Sequence, residues 1–208
     1  MGEIRKILIA DDHSIVSRGL YYLLTLHFSD VSISEAHSLD ALMKALSTDC
    51  YSHLILDINL DTENSIEVLP QIIENYPDMK ILIYSMISEE VYGRKLMQYK
   101  INGFLSKKTE EREILDALRI FLDGGIYMSR KLRNETLESD NVFHTLSNTE
   151  MKVLRDILRG NRTKEIANSM GVTQQTIATY KARIFKKLGT ENIFEIQKMA
   201  ELFNITTF

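Results

Sequence analysis

The first 123 residues alternate short apolar runs with stretches of helical spacing five times in succession, and few architectures accept that order. Ile4 to Ala10 is apolar and stops at Asp11 and Asp12; Ser14 to Phe28 then carries Ile15, Gly19, Leu20, Leu23, Leu24 and Leu26 at helical intervals. The pattern recurs as Val31 to Ala36 with Leu39 to Leu46, His53 to Leu56 with Ile66 to Ile73, and Lys80 to Tyr84 with Glu89 to Met97. Gly103 to Ser106 with Thr109 to Leu122 closes it, and Pro77 separates the third helix from the fourth strand. Leu54-Ile55-Leu56 and Ile81-Leu82-Ile83 are apolar on both faces, as buried parallel strands require. The spacing predicts a doubly wound, parallel α/β sheet of five strands.

Ligands of such sheets gather at the carboxyl ends of the strands. Asp11 and Asp12 end the first strand, Asp57 the third and Ser85 the fourth, while Lys107 follows the fifth. No glycine-rich phosphate loop follows any strand, so neither a dinucleotide nor a Walker-type nucleotide site is supported. Three converging carboxylates repel one another unless a cation intervenes, and hard oxygen ligands favour Mg2+ or another divalent ion. A carboxylate can attack phosphorus to give an aspartyl phosphate, with a cation, a lysine and a hydroxyl stabilising the phosphoryl oxygens. Taken singly, each residue also reads as an ordinary strand end or helix cap. His13 reads as a helix-start residue, or one that supports a ligand from behind, rather than a metal ligand itself, because no other His or Cys stands at ligand spacing.

Composition divides the chain further. From His144 onward ten basic residues face six acidic ones, a balance of +4 against −8 for the remainder, so an acidic domain precedes one suited to phosphate backbones. No apolar run is long enough to span a bilayer, Asp11 and Asp12 interrupt any leader-like core, and Cys50 is the one cysteine. The expected location is the cytoplasm, with no membrane partner.

Gly124-Gly125 ends the last helix of the first domain, and Ser129 to Asn141 is polar without period. Ser147-Asn148-Thr149-Glu150 is a capping box, followed by Val153, Leu154, Ile157 and Leu158 on one face and by Gly160 as a stop. Thr163 to Met170 is a second helix, Gly171-Val172-Thr173 a turn, and Thr173 caps a third helix with Ile177, Ile184, Phe185 and Leu188 inward. A last helix, about Asn192 to Phe203, buries Ile193, Ile196, Met199 and Ala200. A short helix, a tight turn with glycine and a longer basic helix make a helix-turn-helix pattern, although an α-hairpin packing module has the same outline.

Two resemblances add to this. Residues 3 to 123 resemble the receiver domain of two-component response regulators, and Leu146 to Phe203 resembles the LuxR-type output domain of the NarL/FixJ class. The second is carried by Leu146 to Glu150, Gly160, Lys164-Glu165-Ile166-Ala167, Val172 to Thr176 and Ile184 to Gly189. The resemblance implies a flavodoxin-like receiver, 1–123, a linker, 124–143, and a four-helix DNA-binding domain, 144–208. It implies Asp57 as phospho-acceptor and Asp11, Asp12, Asp57 and the backbone carbonyl of Asn59 as metal ligands, Asp12 directly and Asp11 often through water. Ser85 and Phe104 match the switch positions and Lys107 the family's lysine. Gln174, Gln175, Thr179, Lys181, Arg183, Lys186 and Lys187 match the DNA-facing helix, with Lys186 and Lys187 suited to phosphates.

The chain also departs from the family. Asp61 and Ser65 replace a usual proline and glycine, Met86 a usual small residue beside the switch hydroxyl, and Ala178 a frequent Lys or Arg. The implied function is a response regulator, not an enzyme, phosphorylated by a sensor histidine kinase and binding promoter DNA as a homodimer. A phosphorylation-independent DNA binder with the receiver as dimerisation platform is the alternative. An aspartate-nucleophile phosphatase needs a second carboxylate two residues after Asp57, where Asn59 stands.

Overall fold

The computed structural model describes residues 4–60, 63–87, 89–129, 141–203 and 205; Asp61 and the linker segment 130–140 lie outside the described residues. The chain divides into two compact units, Met1–Glu135 and Thr136–Phe208.

The first unit is a five-stranded parallel sheet wrapped by helices. In chain order its elements are β1 (Arg5–Ala10), α1 (Ser14–His27), β2 (Val31–Ala36), α2 (Leu39–Thr48) and β3 (His53–Leu56). There follow a small antiparallel hairpin of β4 (Asn59–Leu60) and β5 (Glu63–Asn64), then α3 (Leu69–Asn75), β6 (Lys80–Ser85), α4 (Glu89–Met97), β7 (Gly103–Ser106) and α5 (Glu111–Leu122). The strand order is β2-β1-β3-β6-β7. The reversal of winding at β1 opens the crevice where such sheets bind ligands.

Register explains the sequence pattern. Ile9, Ile55 and Leu82 lie side by side across β1, β3 and β6 and share a core with Leu20 and Leu24 of α1 and Leu118 and Phe121 of α5. The intervening Leu8, Leu54 and Ile81 are equally buried but point to the opposite face; Leu42 and Leu46 of α2 and Leu69 and Ile72 of α3 are buried as well, outside the first core. Two helices start later than the sequence leads one to expect. The third begins at Leu69 rather than Ile66, because Pro70 in its first turn favours a start there. It runs two residues further, to Asn75. The fifth begins at Glu111 after an extended Glu110.

The sheet edge continues past α5. Tyr127 pairs in parallel with Gly103, donates its backbone N–H to the Asn102 carbonyl at 2.8 Å, and donates its hydroxyl to Glu113 Oε1 at 2.6 Å. A Cβ at residue 103 would stand 2.8 Å from the Tyr127 carbonyl oxygen, so this close approach requires glycine.

The second unit opens with a 3-10 turn, Val142–Thr145, followed by α6 (Asn148–Leu158), α7 (Thr163–Met170), α8 (Gln174–Leu188) and α9 (Ile193–Leu202). The capping box is present in full: Ser147 N–H donates to Glu150 Oε2 at 2.7 Å, and Glu150 N–H to Ser147 Oγ at 3.3 Å. Gly171 ends α7 at φ 66°, a conformation costly for side-chain-bearing residues, and the Thr173 hydroxyl then accepts from Thr176 N–H at 3.2 Å to start α8. Val153, Leu154, Ile166, Ile177, Ile184, Leu188, Ile196 and Met199 are buried. Phe143, which the polar stretch before it hides in the sequence, is buried too and meets Phe203 edge-on at 5.9 Å between centroids. Among the described residues no helix is long and apolar enough to cross a membrane.

Candidate functional site

The parallel strands deliver their last residues to one edge. Asp11 follows β1 with its N–H on the Ala36 carbonyl at 3.0 Å, and Asp57 follows β3 with its N–H on the Ala10 carbonyl at 2.8 Å. Ser85 ends β6, and Lys107 follows β7 with its N–H on the Ser85 carbonyl at 2.9 Å. These backbone bonds extend the sheet ladder by one residue, which is why four residues distant in sequence meet.

The Asp57 carboxylate is 3 % exposed and each oxygen has its own strong donor. Ser85 Oγ donates to Oδ1 at 2.6 Å and Lys107 Nζ to Oδ2 at 2.6 Å, while Asn59 N–H lies 3.3 Å from Oδ1. Lys107 Nζ also stands 2.7 Å from Asp11 Oδ2, so one buried ammonium bridges two buried carboxylates. Asp11 Oδ1 accepts from His13 N–H at 2.9 Å. Burial nevertheless pushes the Asp11 carboxyl above its ordinary range, against the pull of Lys107. Asp12, by contrast, is half-buried at the rim.

Ligand atoms of Asp11, Asp12, Asp57 and His13 all lie within 4.8 Å of one another. Three carboxylates and one ammonium leave two negative charges uncompensated at a site of hard oxygen donors, and a buried acid short of positive charge is what a cation relieves. The residues therefore fit a divalent cation. His13 is the residue preceding α1, and its Nδ1 stands 2.7 Å from Asp12 Oδ1, so its ring lies beside the carboxylate cluster and touches one of its members.

Phe104 is fully buried and stands opposite Ile83 across β6 and β7, on the face of the sheet that also carries Ser85. Met86 is about half exposed. Sequence reasoning did not place two contributors at this site. Ser17 is fully buried in α1, with its hydroxyl 3.3 Å from the Asp11 carbonyl. Ser65, noted only as a departure from the family, is fully buried and donates to the Asp57 carbonyl at 2.7 Å.

The second unit carries a separate surface. Gln175, Ala178, Thr179, Ala182, Arg183 and Lys186 recur at helical intervals along α8 and are all exposed, while Ile177, Ile184 and Leu188 pack beneath. Gln174 is exposed at the start of the helix. Lys181 sits at the border, half-buried, its ammonium 5.2 Å from the centroid of the Phe185 ring. Lys187 is drawn away: its Nζ donates to Glu150 Oε2 at 2.7 Å and to the Thr145 carbonyl at 2.9 Å.

The sequence profile of the response regulator receiver domain matches residues 7–119, more than half of the chain. The chain is a response regulator. The profile of the bacterial regulatory proteins of the luxR family matches residues 144–200 of the regulator, the unit that contains the helix-turn-helix. Oxygen regulatory protein NreC of Staphylococcus carnosus is 28 % identical to the regulator over 211 residues, covering 94 % of this chain and 96 % of its own. NreC from Staphylococcus aureus is 27 % identical with the same coverage. Among solved structures, RcsB from Salmonella enterica serovar Typhimurium bound to promoter rprA in the presence of phosphomimetic BeF3- superposes with a TM-score of 0.67. It is 25 % identical, and the match covers 97 % of the regulator and all of RcsB. A second RcsB complex, on promoter P1flhDC, superposes at 0.70 with 23 % identity, with 97 % and 100 % coverage. The regulator thus joins a receiver to a LuxR-type DNA-binding domain, the organisation of the NarL/FixJ class.

Proposed function

We propose that the regulator accepts a phosphoryl group on Asp57 from a sensor histidine kinase and, once phosphorylated, binds promoter DNA as a homodimer in the cytoplasm. The observation that carries this reading is the Asp57 carboxylate itself, buried, with Ser85 on one oxygen and Lys107 on the other. A nucleophile so held keeps its lone pairs aimed into the crevice, and its two donors are already beside the place where phosphoryl oxygens arrive. The kinase's phosphorus–nitrogen bond breaks as the phosphorus–oxygen bond to Asp57 forms, so the group moves without a proton or electron unaccounted for. Asp11, Asp12, Asp57 and the backbone carbonyl of Asn59 would hold Mg2+, which supplies charge stabilisation at the phosphoryl oxygens.

Phosphorylation alters what Ser85 and Lys107 bind. Both leave the carboxylate for phosphoryl oxygens, and Phe104, packed on the same face of the sheet as Ser85, follows into whichever space that movement opens. The phosphoryl group shifts the population only as far as it binds one arrangement more tightly than the other. Gln174, Gln175, Thr179, Lys181 and Arg183 on α8 are the candidates for base edges, and Lys186 for phosphates. RcsB gives support by likeness, being described as two dimers bound to two parallel DNAs and as bound to promoters with a phosphomimetic.

The test is incubation with Mg2+ and a small phosphodonor, followed by measurement of label, oligomer size and binding to a randomised DNA pool, for the wild type and Asp57→Asn. Label, assembly and tighter DNA binding in the wild type alone are expected. Equal DNA binding and oligomer size in both proteins, with or without donor, would establish the phosphorylation-independent alternative.

A further inference from the structure

Among the described residues of the receiver unit three serines are completely buried, Ser17, Ser65 and Ser85, and all three spend their hydroxyls on Asp11 or Asp57. Ser85 is the switch residue already described. From Ser65 we infer that a second hydroxyl, one acting on the backbone rather than the carboxylate, positions the phospho-acceptor and the turn that presents the Asn59 carbonyl.

The geometry is specific. Ser65 Oγ lies 2.7 Å from the Asp57 carbonyl oxygen and 3.1 Å from that of Ile58, and Ser65 N–H donates to the Ile58 carbonyl at 2.9 Å. A hydroxyl has one proton, and the shorter contact takes most of it. Asp57 is therefore fixed at both ends of its backbone, its N–H on Ala10 and its C=O on Ser65, while Ser85 and Lys107 hold its side chain. The β4–β5 hairpin makes this possible by pairing Asn59 with Asn64, which returns the chain to residue 65 directly beside residues 57 and 58. Removing the hydroxyl strands a buried carbonyl and frees the peptide that carries the nucleophile.

Local backbone does not account for the serine. Among the described residues Lys100 is the one non-glycine with positive φ, so residue 65 has an ordinary backbone and gains nothing from glycine's freedom. What serine adds at this position is a donor. The acyl-phosphate chemistry depends on placing the carboxylate oxygen in line, where a displacement of about 1 Å costs on the order of a hundredfold in rate. Ser65 is thus a positioning residue for phosphoryl transfer in this regulator, in the place where the resemblance leads one to expect a glycine.

This inference rests on the proposed phosphorylation of Asp57, and the experiment separates the two. Full-length wild type, Ser65→Ala, Ser65→Gly and Ser65→Thr are compared for melting temperature, for Mg2+ affinity by calorimetry without phosphodonor, and for the rate of acetyl phosphate labelling at saturating Mg2+. Ser65→Ala and Ser65→Gly should bind Mg2+ several-fold more weakly and label about tenfold more slowly at temperatures where both are folded, whereas Ser65→Thr, which keeps the donor, should stay within about threefold of wild type. A wild type that takes no label overturns the phosphorylation reading. A labelled wild type matched by Ser65→Ala in Mg2+ affinity and rate overturns the role of Ser65 alone, as does a well-folded Ser65→Thr that behaves like Ser65→Ala.

Discussion

Lys187, in the last turn of α8, donates at 2.7 Å to Glu150 in the first turn of α6, and the same Glu150 oxygen accepts the Ser147 N–H that caps that helix. With Thr145 as its second acceptor, Lys187 has committed two of its three donors inside the fold. Lys187 and the Ser147 N–H hold the Glu150 carboxyl down at about 2.

A lysine so engaged and its neighbour Lys186, which is exposed, should separate by experiment although they are adjacent in sequence. Lys186→Ala should reduce the magnitude of the salt slope of DNA binding by about one, because one phosphate contact and its released counterion are lost. Lys187→Ala should leave the slope almost unchanged and lower the stability of the output domain by about 1–2 kcal/mol, since a buried carboxylate loses its cation. Calorimetric melting and binding at several salt concentrations read both. An unchanged melting temperature for Lys187→Ala, with a slope reduced by one, would return Lys187 to the phosphate-contacting role its sequence position suggests.

His53 offers a pH test of the receiver. Burial, then the neighbouring charge of Arg5, pushes its imidazole down to about 4 from 6.5. The unfolded ring takes up a proton below about 6.5 and the folded ring only below about 4, so the native state gains from the neutral ring at neutral pH and loses that gain as pH falls between these values. The conversion caps this contribution at about 3 kcal/mol. Denaturant unfolding of wild type and His53→Leu at neutral and mildly acidic pH should show a steeper acid loss in the wild type; parallel losses would show that His53 is not the group responsible.

How far the sequence led depends on how local each feature is. The five strands are legible because apolar runs such as Leu54-Ile55-Leu56 carry the signature of burial on both faces, and the acids follow from where those runs stop. The β4–β5 hairpin is not legible, because strands of two residues have no period to detect. Ser17 and Ser65 escape for another reason: a serine's burial and partner are set by the strand end it packs against, and nothing in its neighbours in sequence records that. Lys187 shows the same limit in reverse, as a basic residue on the helix proposed to face DNA whose partner lies 37 positions earlier in the chain.

Met86 stands next to Ser85, the proposed switch hydroxyl, where the resemblance leads one to expect a small residue, and about half of its surface is exposed. Its bulk should slow the approach of water and small donors to Asp57. Met86→Ala should therefore speed both labelling by a small phosphodonor and subsequent loss of the acyl phosphate, followed by a radioactive or mass-shift assay. Equal or slower rates would show that Met86 does not restrict access.

The exposed stripe of α8 should set sequence preference, and its members should differ according to where they stand. Thr179 and Arg183 lie within the stripe, so their replacement by alanine should alter preference at particular base positions, each good contact contributing roughly 1–3 kcal/mol of discrimination. Lys181 is at the border, with its ammonium over Phe185. It must leave that ring to reach a base, so Lys181→Ala should change preference less than Arg183→Ala does. Ala178 lies in the middle of the stripe, where the resemblance leads one to expect a basic side chain, and its short side chain leaves room for one. Ala178→Lys should add a donor for guanine N7 and O6 and raise preference for guanine at a single step, while also steepening the salt slope through its charge. Selection from a randomised DNA pool with each variant, repeated at several salt concentrations, separates the two effects. If Ala178→Lys steepened the slope but left the selected sequence unchanged, and Thr179→Ala and Arg183→Ala did likewise in the opposite direction, this face of α8 would be following the phosphate backbone instead of entering the major groove.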